Sequence, residues 1–246
     1  GLELEAVRNS FALAARADCA TSESVRNNFI RYSEYGRAND VLLLQLYTSV
    51  LLPDAEVERL LSLWDGEKFS DIDYADQTRG RWQPTLHLTR LYSIAKLYTE
   101  PSCRWCADSR LKSMIHSGIG WWFANMPKCP NWWHNDIGVP KKMTSILLMI
   151  YPELSEEEIG GGVKVLEWSA FGRTGQNKAW LAGNQLMKGL LTDDADLVLK
   201  ARDVIAEEIC ITEGEGIRDD WSFHQHGPPI QFGNYGLAYL EGLSFW

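Results

Sequence analysis

The sequence predicts an all-α protein, an incomplete (α/α) toroid of antiparallel helix pairs. Three observations carry that prediction. Apolar residues recur at three- and four-residue spacing through nearly every long segment. No segment alternates apolar and polar residues for long enough to make a half-buried strand. Short connections alternate with long ones, and the long ones are rich in Trp, Asn, Asp and Gly, as expected where stacked helix pairs turn at one end. Periodicity gives roughly eight to ten helices. No fixed repeat of the tetratricopeptide or ankyrin sort is present, which favours a partial toroid over a regular solenoid.

In order, helical patterning covers Leu2–Ala15, and Ser22 offers a cap to the next helical stretch. Asp40–Leu52 is strongly apolar and stops at Pro53; Asp54–Trp64 restarts with acidic residues suited to a helix N-terminus. A polar connection, Phe69–Pro84, leads to the amphipathic helices Thr85–Glu100 and Ala107–Met126. Pro127–Pro140 is a second polar connection, followed by the apolar helix Lys141–Tyr151. Ser155 and Glu158 form a capping box, but Gly160-Gly-Gly162 comes early, so a secure helix is expected only over Val163–Phe171. After the connection Phe171–Asn177, helices are expected over Ala179–Leu191 and Asp194–Ile211. Gly214–Gly233 is the last long connection, and Tyr235–Leu243 opens another helix. The 246 residues are expected to form a single domain.

Composition narrows the function. Hydrophobic residues make up 45% of the chain, enough for a sizeable core, which excludes disorder. A net charge of −9 disfavours nucleic acid. No apolar run approaches the about 20 residues that span a bilayer. The chain begins at Gly1, not Met, which a removed signal peptide or a fragment boundary explains equally. Cys103-Arg-Trp-Cys106 has metal-like spacing but no second pair to complete four ligands, so no metal is expected; Cys19, Cys129 and Cys210 make an odd total with them. Eleven tryptophans are unusual, and several stand beside polar residues. Most are expected in the core, but such rings also make flat platforms for sugars.

The densest chemistry lies in Asp219–Tyr235, which holds His224, His226 and Tyr235 around a Gly-Pro-Pro break. Histidine and tyrosine both move protons, and irregular segments on rigid scaffolds often carry chemistry. His87, His116 and His224 are read as structural.

Three connections resemble motifs of one family. Asn131-Trp-Trp-His-Asn-Asp-Ile-Gly-Val-Pro140, Thr174-Gly-Gln-Asn-Lys178 and Asp220-Trp-Ser-Phe-His-Gln-His226 with Tyr235 resemble, in order and separation, motif blocks of polysaccharide lyase family 8. That family includes chondroitin AC, hyaluronate and xanthan lyases. Phe69-Ser-Asp-Ile-Asp-Tyr74 is a weaker echo, and the likeness covers about Trp64 to the end. Three residues depart from the pattern: Asp136 stands for glutamate, Gln176 for alanine and Trp221 for glycine.

The resemblance implies an enzyme that cleaves uronic-acid polysaccharides by β-elimination, without a cofactor, leaving a C4=C5 double bond. By position it makes Asn177, His226 and Tyr235 catalytic, and Asn131, Trp132, Trp133, Trp221 and Gln225 substrate-binding. It implies a secreted or periplasmic monomer acting on an anionic polysaccharide, with neither nucleic acid nor membrane as partner. The family's catalytic arginine, its supporting glutamate and its β-sandwich domains fall beyond this chain, which matches the N-terminal part of such a lyase.

The residue types suit the chemistry. The C5 proton of a uronate is poorly acidic, because its loss puts charge beside a carboxylate. Asn177 can hydrogen-bond that carboxylate without repulsion. Tyr235 is taken as base and acid with His226 assisting, and the reverse assignment of the base uses the same pair. Arg81, Arg90, Lys141, Lys142, Arg173 and Lys178 are candidates to offset the acidic net charge. Two alternatives are a glycoside hydrolase, needing two carboxylates among Asp71, Asp73, Asp136, Asp219 and Asp220, and a non-catalytic sugar-binding toroid.

Overall fold

The computed structural model describes residues 51–245. Leu2–Ala15, the Ser22 cap, Cys19 and all but the end of Asp40–Leu52 lie outside the described residues. Among the described residues there are eight α-helices: α1 Asp54–Ser62, α2 Thr85–Thr99, α3 Ser109–Asn125, α4 Val139–Met149, α5 Glu156–Leu166, α6 Gly175–Thr192, α7 Ala195–Glu207 and α8 Leu237–Phe245. They fall into two compact units that divide between Trp168 and Ser169. None of the described helices is long and apolar enough to cross a membrane.

In the unit ending at Trp168, α2 packs on α3 and α4, and α5 packs on α3 and α4. Leu88, Leu91 and Ile94 of α2 meet a core that holds Leu111, Ile115 and Trp122 of α3 with Met143, Ile146 and Leu147 of α4, all buried. Each such side chain stabilises the fold by about 1.5–3 kcal/mol. Asp108 caps α3, accepting from Arg110 N at 2.8 Å. The expected capping box starts α5: Ser155 Oγ accepts from Glu158 N at 3.2 Å, and Glu158 Oε2 accepts from Ser155 N at 2.8 Å. Contrary to the sequence reading, α5 runs unbroken through Gly160–Gly162. A Cβ on Gly161 would lie 2.4 Å from the Phe123 ring, so the glycine admits α3 rather than breaking α5.

The polar connection after α1 is ordered by its aspartates. Asp76 accepts from Thr78 N at 2.9 Å and from Gln83 N at 2.8 Å. Trp82, buried within it, donates from Nε1 to Asp76 O at 3.0 Å. The helical path also begins earlier than expected before α4, with a π-turn over His134–Gly138. Pro140, in the first turn of α4, has no N–H for a regular ladder, and the widened turn precedes it.

In the other unit, α6 and α7 form a hairpin joined by Asp193 and Asp194. Asp193 is left-handed (φ 61°), and Asp194 accepts from Leu197 N at 2.9 Å as the cap of α7. The connection after α7 contains a short antiparallel ribbon that the sequence did not reveal, β1 Gly216–Ile217 with β2 Phe223–His224. Strands of two residues carry no legible alternation. A π-turn, Phe232–Gly236, leads into α8, whose Tyr239 is buried against Phe223 with ring centroids 4.8 Å apart.

Candidate active site

In the unit holding α6–α8, the sequence-selected residues converge on the start of α6. That helix begins at Gly175, so Asn177 lies inside its first turn rather than in the connection before it. Thr174 precedes the helix without capping it. The free N–H of Gln176 is taken instead by Gln225 Oε1 at 3.0 Å, which pins the His226 segment to the helix start. Gly175 has φ 57°, and a Cβ there would meet Gln225 Oε1 at 2.4 Å. The left-handed backbone favours glycine, and a side chain there would displace the Gln225 amide.

Asn177 is 5% exposed, and its Oδ1 has no hydrogen-bond partner among the described residues. Trp180, three residues on along the same face of α6, lies 6.0 Å from the Tyr235 ring between centroids. His226 meets that same Tyr235 ring at 4.8 Å with the planes at 90°. Asn177 and Trp180 thus lie on one face of α6, with Tyr235 beside Trp180 and His226 beside Tyr235.

His226 is exposed and left-handed (φ 62°), a conformation that costs a non-glycine residue about 1–2 kcal/mol. Its N–H donates to Glu215 Oε1 at 2.7 Å. Glu215 Oε2 accepts from Thr174 Oγ1 at 2.5 Å and also from Gln225 Nε2. Burial, then the Glu215 carboxylate, push the Tyr235 phenol above its ordinary pKa. The sequence reading missed Glu215, whose only signal was an acid between Gly214 and Gly216 ahead of the histidines.

Trp221 is also left-handed (φ 66°) and 49% exposed. The backbone explains why glycine suits this position: only there does the turn come without side-chain strain. Gln176, standing for alanine, is buried with neither amide atom partnered among the described residues.

In the unit ending at Trp168, Asn131 is a fastener. Its Nδ2 donates to Arg79 O at 3.2 Å, and its Oδ1 accepts from Trp133 N at 3.1 Å. Asn135 clamps the same loop, accepting from Cys129 N at 2.9 Å and donating to Cys129 O at 2.8 Å. Trp132 and Trp133 are half-buried, and the Trp133 ring lies against His134 at 5.5 Å.

Other readings sort similarly. His87 is a core histidine: Nε2 donates to Gly118 O at 3.0 Å and Nδ1 accepts from Tyr74 Oη at 2.8 Å. His116 pairs with Glu158 at 2.5 Å, and His224 Nε2 is 2.9 Å from Ser222 Oγ. Cys103, Cys106, Cys129 and Cys210 are free thiols. Of the cationic candidates, Arg90 is held by Asp71 at 2.5 and 2.8 Å. Lys178 pairs with Glu208 at 2.8 Å and Glu207 at 3.4 Å. Burial opposes its charge, but these pairs outweigh it and raise its pKa. Among the carboxylates a hydrolase would need, Asp71 is thus an ion-pair partner. Asp73 and Asp220 tie local turns, accepting from Ala75 N and Ser222 N at 2.9 Å each.

The model of polysaccharide lyase family 8, N-terminal alpha-helical domain, matches residues 53–245. The chain belongs to polysaccharide lyase family 8. It is 27% identical over 191 residues to chondroitinase-AC of Pedobacter heparinus, covering 76% of this chain and 27% of that protein. It is 27% identical over 180 residues to a hyaluronate lyase of Thermasporomyces composti, covering 66% of this chain and 22% of that protein. A solved chondroitinase AC lyase structure shares the fold with a TM-score of 0.71 at 23% identity, covering 89% of this chain and 32% of that one. The fold class is the one the sequence predicts, all-α and of the incomplete (α/α) toroid type of these lyases. The chain spans about a quarter of the length of these family 8 relatives.

Proposed function

We propose that this chain is the N-terminal α/α-toroid part of a secreted or periplasmic lyase. It cleaves a uronic-acid polysaccharide such as chondroitin or hyaluronan by β-elimination. The observation that carries this reading is the convergence of Asn177, His226 and Tyr235 on the first turns of α6. Names of relatives support the substrate class, since they include a chondroitinase and a hyaluronate lyase. The unbroken family match from residue 53 to residue 245 supports a single domain running through both compact units.

In this reading the Asn177 amide takes the uronate carboxylate and holds the developing enolate. The bond to the carboxylate uses the Nδ2 donor, while the buried, unpartnered Oδ1 is an acceptor suited to a donor such as a sugar hydroxyl. Tyr235 removes the C5 proton and returns one to the C4 oxygen as that bond breaks, with His226 assisting. The raised phenol pKa suits the second task, because it keeps the proton available for the leaving oxygen. For the first task the phenol needs a nearby cation that lowers its pKa. The exposed Trp221 supplies an apolar face for a sugar ring beside this site, whose loop Gln225 sets; in the other unit, Trp132 and Trp133 supply apolar faces on a loop fastened by Asn131.

The test is to incubate the full-length protein with chondroitin and with hyaluronan and to follow ultraviolet absorbance from the new C4=C5 bond. A rise with cleavage supports elimination. New reducing ends without absorbance would overturn it in favour of hydrolysis, and binding without either product would leave a sugar-binding toroid.

A further inference from the structure

Glu215 links the His226 turn to the start of α6. It stands immediately before β1, and the pairing of Gly216 with His224 carries it alongside Gln225 and His226. One oxygen accepts from the His226 N–H at 2.7 Å. The other accepts from Thr174 Oγ1 at 2.5 Å and from Gln225 Nε2. Gln225 passes the connection on, its Oε1 accepting from Gln176 N at 3.0 Å. A single half-buried side chain thus fastens the start of α6, next to Asn177, to the strained turn that aims His226. Hydrogen bonds to an ionised carboxylate are the stronger kind, which suits a fastener that must hold a left-handed residue in place.

We infer that Glu215 is a positioning residue: it fixes the His226 turn and the start of α6, next to Asn177, relative to each other. The inference rests on the lyase reading for its kinetic part, but its structural part stands without it. Around Tyr235, His226 touches its ring, α6 presents Trp180, and the Glu215 carboxylate adds to burial in raising the phenol pKa. Replacing the carboxylate by an amide therefore has two separable effects. An amide NH₂ cannot accept from the donors that one carboxylate oxygen now serves, so the turn loosens. The charge also disappears, so the Tyr235 phenol becomes easier to ionise.

The experiment compares full-length wild type, Glu215→Gln and Glu215→Asp. Three readouts are used: kcat and KM for elimination, an ultraviolet titration of Tyr235 taken as the difference from each protein's Tyr235→Phe counterpart, and hydrogen exchange at the His226 amide. Glu215→Gln should lose on the order of 10²-fold in kcat with little change in KM, as expected when reacting groups are misplaced by about 1 Å. Its Tyr235 should titrate at lower pH than in wild type, and its His226 amide should exchange faster. Glu215→Asp keeps the charge, so the titration should stay near wild type while kcat falls. If Glu215→Gln does not fold, the Asp variant's split between lost kcat and retained titration still decides. Unchanged kcat, titration and exchange in Glu215→Gln would overturn the inference. If the wild type shows no elimination, the lyase reading fails, whereas the titration and exchange still report on Glu215.

Discussion

The rings of His226 and Tyr235 meet edge to face, their centroids 4.8 Å apart and their planes perpendicular. Tyr235 lies nine positions after His226, with Gly227-Pro-Pro229 between them and Tyr235 itself inside the π-turn Phe232–Gly236. Their contact depends on two backbone features: the left-handed turn at His226 and the widened helical turn that presents Tyr235 before α8.

If Tyr235 moves the protons, Tyr235→Phe removes the reacting oxygen and leaves the ring that packs on His226 and Trp180. Elimination should fall by at least about 10²-fold. Substrate affinity, read by calorimetry, should be retained. Near-normal appearance of unsaturated product would refute the role given to this residue.

Trp221 combines strain with exposure, so it adds little to the core. Trp221→Gly should raise the unfolding free energy by about 1 kcal/mol through relief of the left-handed backbone. If the indole stacks on sugar, the same variant should show a higher KM with kcat little changed. A variant less stable than wild type would show that the indole packs more than its exposure indicates.

Two adjacent glycines in α5 should respond in opposite directions. Gly160 has open space where a Cβ would go, whereas a Cβ on Gly161 would overlap the Phe123 ring. Gly160→Ala should stabilise by about 0.5–1 kcal/mol through helix propensity. Gly161→Ala should cost about 1–3 kcal/mol through overpacking against α3. Chemical denaturation of the pair provides the comparison, and equal effects would contradict the packing described.

His87 makes stability pH-dependent. Burial, only partly opposed by the bond to Gly118 O, lowers its pKa from 6.5 to about 4. Between those values the unfolded chain binds a proton that the folded chain does not, so stability rises with pH across that window and is lost as pH falls. The slope from this one group is at most about 1.4 kcal/mol per pH unit. Urea midpoints from pH 6.5 down to 4 should decline. In His87→Gln, whose side chain does not titrate, that part of the decline should flatten; an unchanged slope would assign it to other groups.

Several features were determined by sequence alone, because they rest on local rules. Apolar spacing drew α2 and α3 closely and found α6 and α7, though α6 starts four residues before the expected Ala179 and α7 ends four before the expected Ile211. The Ser155–Glu158 box marked the start of α5, because capping acts within one turn. The three motif blocks led to the family and to Asn177, His226 and Tyr235 as residues to watch. What only the tertiary structure decided are matters of distant neighbours. Gly160–Gly162 reads as a break until Phe123 arrives from another helix. Arg90 and Lys178 read as free cations until Asp71, Glu207 and Glu208 meet them. Glu215 reads as one acid among many until the β1–β2 pairing sets it against Gln225 and His226. A hydrogen-bond partner eleven or forty-one residues away leaves no trace in local patterning, because the distance that matters is closed only by the fold.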